Sequence, residues 1–385
     1  MKKILLFLLV LVLLTVPVHA ASSGESQSQS PDIQEQFDEQ LQSSGADELI
    51  ENAPEEVKES LYDLGLDTIS FQKILSLSPK EFLPFFVDQI KGIVVRPIKL
   101  LAIVVGIIVL CALMNTLKQS IAKNRLNEVF HVVSILCICA AVITPVIDCI
   151  SKTGKTIFDC SNFLISFVPV LSGVMTAGGQ IVTSTSYQIF LFWAAEIVSV
   201  LVSRTLVPFL GIYLAIAIVA SINPEFQLYK IADSIKSFVC WALGGLLTVF
   251  VGILSIQGIV ASSADTVSLK ATKFLISSVI PVVGGALSDA LGSVQSCVKL
   301  LKTSVGAYGI IIAVLTFLPL LIESVSWLLV TKVSQIVADF LGVEGIAPVL
   351  KATSSVISII LSIILCFMML IIITTTIMMM LGTGG

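Results

Sequence analysis

Residues 98–117 read IKLLAIVVGIIVLCALMNTL, and the next eight, KQSIAKNR, carry Lys118, Lys123 and Arg125. About twenty apolar residues, coiled as a helix, match the roughly 30 Å hydrocarbon core of a bilayer. Basic loops stay on the cytoplasmic side, so the cluster at 118–125 sets the direction of this crossing. Residues before 98 are then expected outside the cytoplasm. The fold class follows: an all-α, polytopic transmembrane helical bundle.

The chain upstream agrees with that direction. Residues 1–20, MKKILLFLLVLVLLTVPVHA, have Lys2 and Lys3 ahead of an apolar core from Ile4 to Val16. Val18 and Ala20 stand at the small-residue positions of a signal-peptidase site, so cleavage between Ala20 and Ala21 is expected. Residues 21–97 are the one water-soluble stretch, with fifteen acidic and five basic residues. Its Ser/Gln-rich start reads as disordered, and short helical patterns follow. Ser78-Pro79-Lys80-Glu81 resembles a capping box that opens a helix with Phe82, Phe85, Phe86, Ile90 and Ile93 on one face. This exported region reads either as a spacer or as a docking surface for an exported partner, its aromatic helix lying on the membrane.

Downstream, residues 98–385 form the membrane domain. Apolar runs follow at about 129–150, 157–177, 188–222, 238–261, 274–292, 306–330 and 352–381. The run 188–222 is too long for one simple span, and Pro208 is expected to divide it. Seven or eight crossings result.

Composition supports this and excludes other classes. The chain is 56% hydrophobic and 12% charged, against roughly 25% charged in soluble domains. A net charge of −4 without a basic tail argues against nucleic acid as a partner. All eight cysteines lie in or beside apolar runs, which reads as apolar filler rather than a disulfide framework. His19 and His131 are the only histidines, too few for a zinc site. Gly154-Lys155-Thr156 lacks the upstream glycine of a phosphate-binding loop, position 149 being Cys149. No catalytic residue, cofactor or metal is expected, and the chain does not read as an enzyme.

Two stretches echo each other. Residues 163–173, FLISFVPVLSG, and 274–285, FLISSVIPVVGG, agree at eight positions with one gap. Thr205-Leu206-Val207-Pro208 and Thr316-Phe317-Leu318-Pro319 continue the echo 111 residues on. This suggests repeats over about 157–261 and 270–381, with helix breaks at Pro169, Gly173, Pro281, Gly284 and Gly285. Paired broken helices point to the central site of a transporter, because freed backbone groups must face protein or water.

Few ionisable residues interrupt the apolar runs. Glu196 has Ser199 and Ser203 at i+3 and i+7, Arg204 closes its stretch, Glu323 precedes Trp327 by one turn, and Asp289 follows the second Pro-Gly element. A charge at mid-bilayer costs about 3 kcal/mol and should face protein or water. For Glu196 and Glu323 a polar pathway and an inter-helix bond are both open. Arg204 and Asp289 read in preference as structural or solvated charges. A small-molecule or ion substrate stays open as well.

Ser255-Ile256-Gln257-Gly258, Lys273-Phe274 through Pro281-Val282 with Ser288-Asp289-Ala290, and Lys302-Thr303-Ser304-Val305-Gly306-Ala307-Tyr308-Gly309 complete the pattern. With the signal, the acidic exported stretch and the spans, the chain resembles the stage III sporulation protein AE family over nearly its whole length. The resemblance implies a multi-pass protein of the mother-cell membrane around the forespore. It also implies a channel, or feeding-tube, complex with other stage III sporulation membrane proteins of the same operon. It brings no catalytic residues. The residues alone would support a second reading, a secondary transporter built from two repeats.

Overall fold

A computed structural model describes residues 41–42, 44–69, 79–118, 124–222, 228–279, 284–343 and 346–381. Among them every regular element is helical. Lipid leaves no water for backbone groups, so apolar chain of this kind must close its hydrogen bonds within each segment. A 3-10 turn, Asp47–Leu49, precedes α1 (Glu55–Asp63) and α2 (Pro79–Lys118). Then come α3 (Asn124–Ala177), α4 (Ile181–Val200), a π-helical stretch Leu201–Leu206, and α5 (Val207–Ile222). The chain ends with α6 (Leu228–Val279), α7 (Gly284–Phe340) and α8 (Ile346–Met380). The signal segment, with Ala20 and Ala21, lies outside the described residues.

Among the described residues five segments are long and apolar enough to cross a membrane: Pro84–Met114, Val133–Ala177, Ser237–Leu275, Val294–Phe340 and Ile346–Met380. The separate runs at 129–150 and 157–177 are one helix in the structure. The intervening residues 151–156 are helical, with Thr153 buried at 1% exposure and the following Ile157 at 0%. A lone Gly154 lowers helix stability by only about 1 kcal/mol, less than two buried flanking turns supply. At 1.5 Å per residue the 54 residues of α3 extend about 80 Å. Even bent at Pro145 and Pro169, that exceeds one hydrocarbon core of about 30 Å.

The long run 188–222 is not cut into two separated helices. It passes through the π stretch, which contains Arg204, the residue four before Pro208. A proline removes one amide and crowds the carbonyl four residues back. A local π turn absorbs that clash and lets the helix continue.

The expected boundary at residue 97 falls inside α2, which runs on through Pro84 and Pro97. The preceding segment is no detached spacer. Leu49, Val57, Leu61 and Leu66 are almost fully buried in the same apolar cluster as α3 and α7. The Tyr308 hydroxyl of α7 donates to the Thr68 carbonyl.

Helix α8 has Lys351, exposed near its start, as its one charged residue, and its apolar side chains are mostly buried, as befits an interior helix. It packs most extensively on α7 and also on α6, α3 and α5. The reversal between α7 and α8 uses Gly342, at φ +64°, with Val343 N–H bonded to the Ala338 carbonyl and Gly342 N–H to that of Asp339. This is the helix-ending bond pair that a left-handed glycine permits.

Candidate functional site: a charged junction of helix ends

Helix α3 ends at Ala177-Gly178-Gly179-Gln180. Gly179 has φ +80°, Gln180 N–H bonds the Met175 carbonyl at 3.0 Å and Gly179 N–H that of Thr176 at 2.9 Å. A side chain at Gly179 would also strike Leu269 of α6. Conformation and space together require glycine there. The reversed chain starts α4 at Ile181, where the first amides have no partner within the helix.

Asp265 of α6 supplies it. Its two carboxylate oxygens accept from Val182 N–H at 2.9 Å and Thr183 N–H at 2.8 Å, and the residue is 4% exposed. A buried carboxylate is tolerable because the amides and the positive end of the α4 dipole meet it directly. Along the same α3–α4 hairpin the hydroxyls of Ser172 and Ser184 bond each other, and Thr176 bonds Ser184 at 2.9 Å.

Next to this turn lies Lys302 of α7, 1% exposed. Its ammonium donates to Gln180 Oε1 at 2.9 Å and to the carbonyl of Leu381, just past the end of α8. The last carbonyls of a helix lack internal partners and carry the negative end of its dipole, so a cation is stabilised there. Each buried charge is thus met by the end of a helix. The arrangement clamps the start of α4 and the finish of α8.

Two of the motifs that carried the family resemblance, Ser255–Gly258 and Lys302–Gly309, meet in and beside this clamp. A side chain on Gly258 would collide with Leu381 and Tyr187, one on Gly306 with Met379, and one on Gly309 with the Phe167 ring. Gln180, Asp265 and Lys302 were not picked out from sequence as site residues. The Gly178-Gly179 pair was a readable helix stop. The partners of Asp265 are 82 and 83 residues away and those of Lys302 79 and 122, and no local pattern encodes them.

The charges that were picked out are not brought together. Glu196 is exposed, contrary to an inward-facing carboxylate, because the buried face of that turn is taken by Ala194 and Ala195. Arg204 is exposed too, on the π stretch. Glu323 is 18% exposed at its side chain and accepts from Lys152 of α3 at 2.7 and 2.8 Å. Lys152 was not singled out from sequence. Asp289 lies near the start of α7, and its side chain is outside the described residues.

The expected helix breaks divide. Pro169 and Gly173 sit inside continuous α3, so that break is absent; the helix stops five residues later, at Gly178. Only one hydrogen bond is lost at Pro169, while Phe167, Leu171 and Val174 on the same turns are buried at 1% or less. Pro281 falls outside the described residues, and Gly284 and Gly285 open α7. Nor do the echoing segments share an environment. Phe163 and Leu164 are 2% and 6% exposed, while Phe274 and Leu275 are 70% and 58%.

A family model described as stage III sporulation protein AE matches residues 67–382. The stage III sporulation protein AE of Bacillus subtilis (strain 168) is 22% identical over 239 residues, which is 62% of this chain and 60% of that relative. The match thus spans about three fifths of the relative's length. No solved structure matches the chain.

Proposed function

Because the chain belongs to the stage III sporulation protein AE family, we propose that it is a membrane subunit of the channel complex joining mother cell and forespore, needed for endospore development after engulfment. It is a sporulation-related membrane protein. Its place in this reading is the mother-cell membrane surrounding the forespore, beside the other stage III membrane proteins of its operon. The observation that carries the reading is the extent of the family match, which takes in α2 to α8 and with them the charged junction. The transporter alternative leaned on paired helix breaks, and continuous helix at Pro169 with unlike burial of Phe163 and Phe274 weakens it.

Deletion in the native host tests the proposal. Forespores should engulf normally and then fail to develop, and expression of the chain in the mother cell alone should restore them. Normal development of the deletion strain, or rescue only from the forespore, would overturn the reading.

A further inference from the structure

Most hydroxyls inside this bundle satisfy themselves. On α7, Ser326 donates to the Ile322 carbonyl at 2.7 Å and Thr331 to that of Trp327 at 3.0 Å. On α8, Ser358 and Ser362 do the same one turn back. Four groups on α7 do not. Ser324 Oγ, Trp327 Nε1, Ser334 Oγ and Gln335 Oε1 are buried atoms with no hydrogen-bond partner among the described residues. Ser324 and Ser334 are 0% exposed and Trp327 is 7%.

Their positions, 324, 327, 334 and 335, are spaced three, seven and one apart and fall on one face of a helix. Ala338 extends that face and packs among Val104 and Ile108 of α2, Ile138 and Val142 of α3, and Leu350 of α8. The stripe therefore looks into the seam between α7 and its neighbours. At one end it adjoins Glu323, whose partner Lys152 is 47% exposed at its side chain. At the other it ends on half-buried Gln335. The stripe is about 16 Å long at the rise of a helix.

A serine could rotate toward its own helix, as its neighbours do. An indole N–H has no such option, and an amide oxygen can only accept. A donor and an acceptor left dry along one stripe would each carry the full desolvation penalty. Water removes it, since one molecule both donates and accepts.

We infer that the face of α7 from Ser324 to Gln335 holds a continuous file of water, entered beside the Lys152–Glu323 pair. Trp327 donates to it beside Ser324 near the entrance, and Gln335 accepts from it beside Ser334 at the far end. This hydrated track is independent of the sporulation reading, and it uses neither Glu196 nor the proline elements.

The test is thiol accessibility in membrane vesicles bearing the full chain with its eight cysteines replaced by alanine. Cysteine is placed singly at Ser324, Ser334, Lys152 and Ile360, the last fully buried among apolar side chains. A small charged methanethiosulfonate reacts only with thiolate in contact with water. S324C and S334C should both react at least about tenfold faster than I360C, with K152C fastest. If K152C reacts while S324C or S334C matches I360C, the continuous file is wrong. Should the cysteine-free chain not accumulate, the native-cysteine chain with W193F and W241F leaves Trp327 as the sole indole. Emission at the wavelength of a hydrated indole supports the track, and emission at that of an indole in dry hydrocarbon overturns it.

Discussion

Asp265, in the C-terminal third of one helix, closes the first turn of another through the backbone amide of Thr183, 82 residues away and 2.8 Å from its carboxylate. That bond and its twin to Val182 tie α6 to α4 at the point where the chain has just reversed at Gly179. Loss of a helix cap costs about 0.5–2 kcal/mol, and burial of the amides places this one at the upper end. D265A should lower the thermal midpoint of the detergent-solubilised protein by several degrees. D265N keeps one acceptor and should lose less. Equal midpoints for D265A and the parent protein would show that the cap is not needed.

Gly309 is the most crowded of the motif glycines. A methyl there meets the ring of Phe167, which is 1% exposed and stacked on Phe163 at 5.5 Å between centroids. Overpacking of this kind costs about 1–3 kcal/mol. G309A should destabilise more than G306A, since the atoms facing Gly306 belong to the flexible Met379 side chain. Thermal midpoints of the two variants in one detergent check the order.

Removing the ammonium of Lys302 frees the end of α8. K302M keeps most of the stem and deletes the bonds to Gln180 and Leu381. Part of that loss is offset, because an ammonium is no longer held out of water. Global stability should therefore shift little, while amide hydrogen exchange at residues 378–381 rises at least about tenfold. Unchanged exchange there would mean that the carbonyl contact does not hold the helix end.

The two membrane glutamates should behave differently. Lys152 is half exposed, which discounts its pair with Glu323 to at most about 1 kcal/mol. E323Q retains a hydrogen-bonding group and should be nearly silent in sporulation, while E323A should reduce protein level modestly. A proton- or ion-coupled carrier would instead lose all activity in E323Q at normal protein level. Glu196 is exposed on the isolated chain. E196A should leave the stability of the purified protein unchanged, and any sporulation defect should come with loss of complex assembly.

Topology can be read by cysteine labelling in intact cells. Ser60 is 9% exposed and a poor target, whereas Glu59 beside it is exposed. E59C should react with an impermeant reagent from outside and A122C should not. Reaction at position 122 alone would reverse the orientation.

What the sequence determined by itself was the physical class of the molecule. Runs such as 98–117 and 352–381 must be helices wherever water is excluded, because a helix satisfies its own backbone and an unbroken apolar run of this length lacks the alternation of a barrel strand. The basic residues 118–125 gave an expected direction for the same kind of reason, a local charge acting on a local segment. Helix ends were legible only where a residue forces them. Gly178-Gly179 stops α3, whereas Pro169, Pro208 and Pro319 leave helices that continue, since neighbouring side chains hold both halves in place. Charges were the least legible. Glu196 and Lys302 each stand in an apolar context, and only packing turned one outward and enclosed the other. The partners of Lys302 and Asp265 are helix ends rather than opposite charges. An end is a property of where backbone stops in space, so tertiary structure alone could bring Leu381 to Lys302 and Thr183 to Asp265.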